Sequence, residues 1–299
     1  MAGHMKKIIL TVLVACAMVA AHADKATSAP SEVIELWNDV KMPGGVTEPL
    51  DYSKKKWKPS VEGVKNPTLE IFPARGAKDS GFVIICPGGA YANLADTSAE
   101  GYNIAEFFNR RGISAAVLKY RIPNNFDGAL MDAQRAIRLV RANAKKWGAN
   151  PDKIAIMGFS AGANLSARAS TNFKNPAYAP LDDIDKLSAR PDYTVLIYPA
   201  YCSQPEKDRR MLGKRTASQD YSARYEIADW NVVDKDTPPA FITQSQFDPY
   251  VDAAIAYYLA LKKFGVPAEL HMISKGAHGY KDPEIFELLS NVLKTLHFY

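Results

Sequence analysis

What most constrains this chain is a repeating order of elements. Short apolar runs rich in β-branched residues alternate with stretches of helical periodicity, the pattern of a mostly parallel sheet whose strands are joined by crossover helices. Strands are expected at residues 33–36, 68–72, 82–86, 114–120, 154–157, 194–198, 240–243 and 269–273, which gives an α/β fold on an eight-stranded sheet with helices on both faces. Helices are expected at 99–110, 129–147, 161–170, 252–264 and 284–296. Within 129–147, Ala133, Ile137, Val140, Ala144 and Trp147 recur at spacings of three and four and mark the buried stripe. Arg138, Arg141 and Lys145 line its other side, where a solvated face is expected rather than an anion-binding surface. The alternation breaks after the sixth strand, at 201–237, in a charged and aromatic stretch without a long period. It reads as a cap-like insertion over one edge of the sheet.

The fifth strand runs into "GFSAG", Gly158 to Gly162, and a helix of small residues follows. The bare motif is weak evidence, but its place between strand and helix is informative. A strand that turns at once into a helix crowds its neighbours, so glycines flank a central residue in strained geometry whose side chain is exposed at the sheet edge. The helix also aims its first N–H groups toward Ser160, where negative charge can develop. Ser160 is therefore the candidate nucleophile, and a serine at its free pKa needs a base.

Beyond the N-terminal apolar stretch the chain has three histidines, His271, His278 and His297. His271 lies within an expected strand and His297 close to the C-terminus, whereas His278 sits in "SKGAHGY", a glycine-flanked loop directly after the last strand. His278 is the candidate base. Asp248 ends the strand in "FITQSQFDPYVD" and is the candidate orienting acid, since Asp252 is placed to begin a helix as a cap or dipole partner. The order Ser160, Asp248, His278 is that of α/β-hydrolases. Upstream, Pro87-Gly88-Gly89-Ala90-Tyr91 follows a strand, and such a turn lets backbone N–H groups meet a tetrahedral oxygen. Gly89 and Ala90, with the N–H of Ala161, are the expected oxyanion donors. Tyr91, Tyr250 and Tyr280 are candidates for the substrate pocket, Tyr91 either closing its floor or packing behind it. This chemistry calls for no metal and no cofactor.

The N-terminus is read separately. Lys6-Lys7, the apolar run 8–21 and Ala21-His22-Ala23 before Asp24 have the form of a secretory signal, and "MAGH" ahead of Met5 reads as added sequence. Residues 1–23 are accordingly set apart from a single domain at 24–299. Leu13-Val14-Ala15-Cys16 also resembles a lipobox, so the alternatives are soluble export to the periplasm or medium, and an outer-membrane lipoprotein anchored at Cys16; a membrane span is not expected. Loss of Lys6 and Lys7 takes the net charge from +5 to +3, and no basic cluster interleaved with aromatics remains to suggest nucleic acid. Cys86 and Cys202 lie in apolar strand-end contexts, where buried free thiols are expected rather than a bridge.

Taken together, "CPGGAY", "EGYNIAEFFNRRGISAAVLKYRIP", "DAQRAIRLVRANAKKWGANPDKIAIMGFSAGANLSA", "TPPAFITQSQFDPYV" and "ALKKFGVPAELHMISKGAHGY" resemble the acetylxylan-esterase-like carbohydrate esterases of the α/β-hydrolase superfamily, over residues 82–280. The resemblance implies an exported bacterial serine esterase that removes acetyl groups from plant polysaccharides such as xylan or their oligosaccharides. It places the triad on Ser160, Asp248 and His278, the oxyanion donors on Gly89, Ala90 and Ala161, and reads Asp132, Arg135 and Tyr120-Arg121 as scaffold. This chain departs from it at Ala90, where a third glycine is usual, at Ala163-Asn164 in place of Gly-His, and at Phe247 beside Asp248. A feruloyl esterase, a peptidase and a non-catalytic carbohydrate-binding relative are the alternative functions.

Overall fold

In a computed structural model of the protein, residues 29–45, 60–95, 97–203 and 225–299 are described. The expected leader 1–23 with Cys16, and most of the expected insertion 201–237, lie outside them. The strands are β1 (Glu32–Glu35), β2 (Ser60–Val61), β3 (Thr68–Phe72), β4 (Ser80–Cys86), β5 (Leu94–Ala95), β6 (Ser114–Lys119), β7 (Ala149–Phe159), β8 (Tyr193–Ile197), β9 (Ala240–Ser245) and β10 (Ala268–Ile273). The α-helices are α1 (Asn103–Asn109), α2 (Phe126–Asn143), α3 (Ala161–Thr171), α4 (Val251–Lys263) and α5 (Pro283–Thr295). A π-type turn, Ser98–Tyr102, leads into α1, and a 3₁₀ turn, Ala144–Trp147, ends α2.

Eight strands form one sheet in the order β1-β3-β6-β4-β7-β8-β9-β10, while β2 and β5 make a separate two-stranded ribbon. Pairing is antiparallel for β1-β3 and β3-β6 and parallel from β6 to β10. Central strands covered on both faces are largely apolar, and β4 is buried at every position. Successive side chains alternate between faces. Ile84 and Ile156 therefore pack with Ile137, Val140 and Leu165 of α2 and α3, while Val83, Ile85 and Met157 pack with Phe108 of α1 and Leu289 and Leu293 of α5. Beside the α2–α3 layer, α4 lays Ala253, Ala254, Tyr257 and Leu261 on Leu196 and Ile242.

Two expectations need correction. β7 begins at Ala149, five residues before the expected start, because the polar "ANPDK" joins the edge of β4 across a register shift that a search for apolar runs does not see. The row of basic residues on α2 is not a solvated face. Arg138 is buried, with Nε donating to the Leu187 carbonyl at 3.0 Å and Nη1 to the Tyr178 hydroxyl at 3.0 Å. Arg141 donates to the Pro151 carbonyl and to Asp192, each at 3.0 Å. One turn back, Arg135 grips Asp182 at 2.7 and 2.6 Å and Asp185 at 2.9 Å. The segment 178–192 folds over the helix and neutralises these guanidinium groups, leaving Lys145 exposed.

Candidate active site

The elbow is built by steric exclusion. Ser160 stands between the last residue of β7 and the first of α3 with φ 53° and ψ −117°, a conformation that L-residues rarely adopt. A Cβ on Gly158 would come within 2.1 Å of the Gly162 carbonyl oxygen, and a Cβ on Gly162 within 2.1 Å of the Cys86 carbonyl oxygen. The two glycines therefore let the helix start directly against β4 and β7. The strained serine is held by its own backbone, its N–H donating to Ile197 O at 3.0 Å and its carbonyl accepting from Asn164 N at 3.1 Å.

Ser160 Oγ lies 2.7 Å from His278 Nε2, and His278 Nδ1 lies 2.7 Å from Asp248 Oδ2. The three residues come from the carboxyl ends of β7, β9 and β10, the side of a parallel sheet where ligands are received. Asp248 has no exposed side-chain surface, and its other oxygen accepts the Tyr250 N–H at 2.8 Å. An acceptor-only carboxylate on Nδ1 calls for the proton there, which leaves the Nε2 lone pair facing the serine hydroxyl. The His278 loop turns through Gly276 at φ 82° and Gly279 at φ 88°, and Ser245 Oγ holds it at the Lys275 and Gly276 carbonyls. The other two histidines lie elsewhere: His271 stacks on Phe241 at 4.8 Å and bonds Glu269, while His297 closes the end of α5. Asp252 lies in the first turn of α4.

The glycine turn after β4 runs through three positive φ angles, Gly89 at 120° and Ala90 and Tyr91 at 56° each. It closes on Ala92 and Asn93 N–H groups donating to Gly89 O, at 2.9 and 3.2 Å. A Cβ on Gly89 would meet the Asn93 carbonyl oxygen at 2.0 Å, so only glycine fits. Ala161 is the first residue of α3, and an N–H in that position has no carbonyl of its own helix to bond. Gly88 N–H is already committed, donating to Glu100 Oε2 at 2.8 Å.

Of the pocket candidates, Tyr91 packs rather than lines a surface. It is fully buried, its ring lies 4.6 Å from Phe126 and 5.9 Å from Tyr120, and its hydroxyl donates to Asn164 Oδ1 at 2.8 Å. Burial pushes that phenol well above its ordinary pKa. Tyr250 is half-buried and meets the His278 ring edge-on at 5.0 Å, with Tyr201 at 5.3 Å behind it. Tyr280 is half-buried on the His278 loop, near Lys275. The roles of three residues here were not legible in the sequence. Tyr198 sets its ring 5.4 Å from that of His278, Asn164 links Tyr91 to the Tyr201 carbonyl, and Glu100 joins Gly88 to Tyr198. Tyr198 falls inside the expected strand 194–198 but follows β8 in the structure, and an acidic residue at a helix start gives no signal for Glu100, because it reads as a dipole partner.

The family profile described as an alpha/beta hydrolase fold matches residues 88–282, from the glycine turn to just beyond the histidine loop. The chain belongs to this family. The chain is 31% identical over 225 residues to an acetylxylan esterase of Xylanibacter ruminicola, a match covering 72% of this chain and 44% of the relative. It is 30% identical over 216 residues to endo-1,4-beta-xylanase B of Butyrivibrio fibrisolvens, covering 66% of this chain and 32% of that one. The chain thus spans less than half the length of these curated relatives. Among solved structures it is similar to an acetyl ester-xyloside bifunctional hydrolase from Caldicellulosiruptor lactoaceticus, with TM-score 0.70 and 29% identity over 92% of this chain and 99% of that one. Esterase 2 of Thermogutta terrifontis shares the fold, at TM-score 0.65 and 23% identity over 86% of this chain and 97% of the other.

Proposed function

We propose that the protein is a serine esterase that removes acetyl groups from acetylated plant polysaccharides such as xylan, or from their oligosaccharides. The observation that carries the reading is the unbroken chain Ser160–His278–Asp248, both links 2.7 Å, ending on a carboxylate with no exposed surface. In the reaction Ser160 Oγ attacks the ester carbonyl carbon as its proton passes to His278 Nε2. The imidazolium is steadied by Asp248 on Nδ1. The N–H groups of Gly89, Ala90 and Ala161 are the donors assigned to the oxyanion. Collapse of the tetrahedral intermediate breaks the bond to the sugar oxygen, which leaves as a hydroxyl with the proton from His278. Water then attacks the acyl-serine, gives its proton to His278, and the acid departs as that proton returns to Ser160.

The acetyl and xylan elements rest on the names of the relatives, one an acetylxylan esterase and one an acetyl ester-xyloside hydrolase. The leader-like N-terminus supports export, with Asp24 or lipidated Cys16 as the mature start. Among the described residues no helix is long and apolar enough to cross a membrane.

Two measurements test this. Turnover of p-nitrophenyl acetate should be lost in Ser160→Ala; undiminished turnover sinks the esterase reading. Mass spectrometry of acetylated xylo-, manno- and pectic oligosaccharides, before and after treatment, should show loss of acetyl from the xylo series. Release of ferulate in place of acetate would move the assignment to a hydroxycinnamoyl esterase.

A further inference from the structure

Glu100 is buried in the π-type turn ahead of α1 and reaches three elements of the site. Its Oε2 accepts the Gly88 N–H of the glycine turn at 2.8 Å. Its Oε1 accepts the Tyr198 hydroxyl at 2.7 Å, and the Lys281 amine stands 3.5 Å from the same oxygen. Each donor belongs to a different wall. Gly88 precedes the expected oxyanion donors by one residue. Tyr198 follows β8 and lays its ring against both Phe159, the residue before the nucleophile, at 5.8 Å, and His278 at 5.4 Å. Lys281 lies on the segment that carries His278, three residues further on.

The fit is tight on the side of the nucleophile as well. A Cβ at Gly88 would stand 2.9 Å from Glu100 Oε2, 3.0 Å from the Phe159 carbonyl oxygen and 3.1 Å from Ser160 Cβ. Gly88 is therefore held between the carboxylate and the elbow, and a shift of Glu100 moves the turn relative to Ser160. A carboxylate suits this place because it only accepts, and all three partners are donors. An amide would turn an NH₂ toward one of them, and the lysine cannot accept it.

We propose that Glu100 is a positioning residue for the esterase reaction: it fixes the glycine turn and, through Tyr198, the back of the His278 ring in one geometry. This rests on the serine-esterase reading above. The role belongs to the pre-organised geometry that the transition state needs and the ground state does not.

The test uses Glu100→Gln, Tyr198→Phe and their double variant, assayed with p-nitrophenyl acetate. The competent serine in each sample is counted by stoichiometric phosphonylation, so that misfolded protein does not enter kcat. Glu100→Gln is expected to lower kcat by about 10²-fold with KM little changed, and Tyr198→Phe to lower it by a smaller factor. The double variant should lose less than the product of the two, because the same link is cut twice. A titrated kcat at wild-type level in Glu100→Gln, with only the melting temperature reduced, would make Glu100 a plain fold-stabilising residue and overturn the proposal. Should Glu100→Gln not fold, Tyr198→Phe carries the test alone, and a wild-type kcat there overturns the proposal equally. Ser160→Ala separates the two failures: an active Ser160→Ala removes the esterase reading, whereas an inactive one beside a fully active Glu100→Gln removes only the positioning role.

Discussion

Asp248 meets His278 through one oxygen, at 2.7 Å from Nδ1, while its other oxygen is occupied by the Tyr250 N–H. The aspartate is thus fixed by its own turn before it orients the ring. Asparagine in its place keeps the shape and can still accept from Tyr250, but it sets an NH₂ donor or a neutral carbonyl against Nδ1 and favours the wrong tautomer. Asp248→Asn is expected to lower kcat by roughly 10⁴-fold, with KM and the circular-dichroism melt close to wild type. A loss below tenfold on p-nitrophenyl acetate would remove Asp248 from the mechanism.

The elbow leaves no room for a methyl group. In Gly162→Ala the new carbon would sit 2.1 Å from the Cys86 carbonyl oxygen and 2.4 Å from that of Pro87, both backbone atoms that cannot swing away. Helix α3 must move off β4, at a cost of about 1–3 kcal/mol for such overpacking, and Ser160 moves with it. Urea unfolding should show a lower midpoint, and turnover should fall further than the loss of folded protein explains. An unchanged midpoint would contradict the packing described here.

What the sequence made readable follows from what its patterns encode. β3 was found at its observed bounds, and Ser160 and Asp248 stood out as candidates because strands buried on both faces write apolar runs and these two side chains sit just beyond such runs, whereas His278 stood out by its glycine-flanked loop after the partly exposed edge strand β10. Arg138 and Arg141 were misread because the Tyr178 hydroxyl, the Leu187 carbonyl and Asp192 lie 40, 49 and 51 residues away along the chain, and local periodicity does not carry pairing with a distant loop. Tyr91 could not be assigned from its place in a turn, since its burial depends on Tyr120, Phe126 and Asn164 arriving from three other elements. The β2–β5 ribbon escaped because two residues on each side leave no period to detect.

Arg135, read from the sequence as scaffold, shows what the same loop contributes energetically. Its guanidinium, with only 3% of its side chain exposed, pairs with Asp185 at 1% exposed, and Arg135→Met would leave Asp185 facing Arg138 Nη1 at 3.9 Å as its nearest cation. Removing one partner of a buried pair costs on the order of 3–5 kcal/mol, so a clear fall in the melting temperature is expected. The change is pH-dependent in a defined direction. The hydrogen bond from Arg135, outweighing partial burial, holds the Asp182 carboxyl below its ordinary range. A lowered folded pKa contributes stability that is present above the unfolded value, about 3.9, and is lost as pH falls through the folded one. Wild type should therefore lose part of its advantage over Arg135→Met on acidification below about pH 4. A gap constant from neutral pH to pH 2 would contradict this assignment.

Cys86 is fully buried and burial pushes its thiol up to about 12, against a smaller lowering by Ser166. The reactive thiolate is withheld through the alkaline range in which an open cysteine, near 8.5, would react. Cys86 and Cys202 should both resist a thiol-specific disulfide reagent at pH 8 in native protein and react in guanidinium, with labelled peptides read by mass spectrometry. Rapid native labelling at either would argue against the buried, unbridged state seen here.

Ala90 holds a φ of 56° in the glycine turn, where an L-residue carries strain of about 1–2 kcal/mol. Ala90→Gly relieves that strain but enlarges the freedom of the unfolded chain, a loss of about 0.4–1 kcal/mol. The two partly offset, so thermal stability should stay the same or rise, by about 1 kcal/mol. Activity should change more: with Gly89 and Ala161 as its neighbours in the proposed oxyanion site, the Ala90 methyl is expected to narrow the space left for the acyl chain, and its removal should admit longer acyl groups. The ratio of kcat/KM for p-nitrophenyl butyrate to that for the acetate is expected to rise several-fold in Ala90→Gly. An unchanged ratio, with both esters turned over as in wild type, would place the limit on acyl length elsewhere and direct attention to Tyr250, the half-buried ring beside His278.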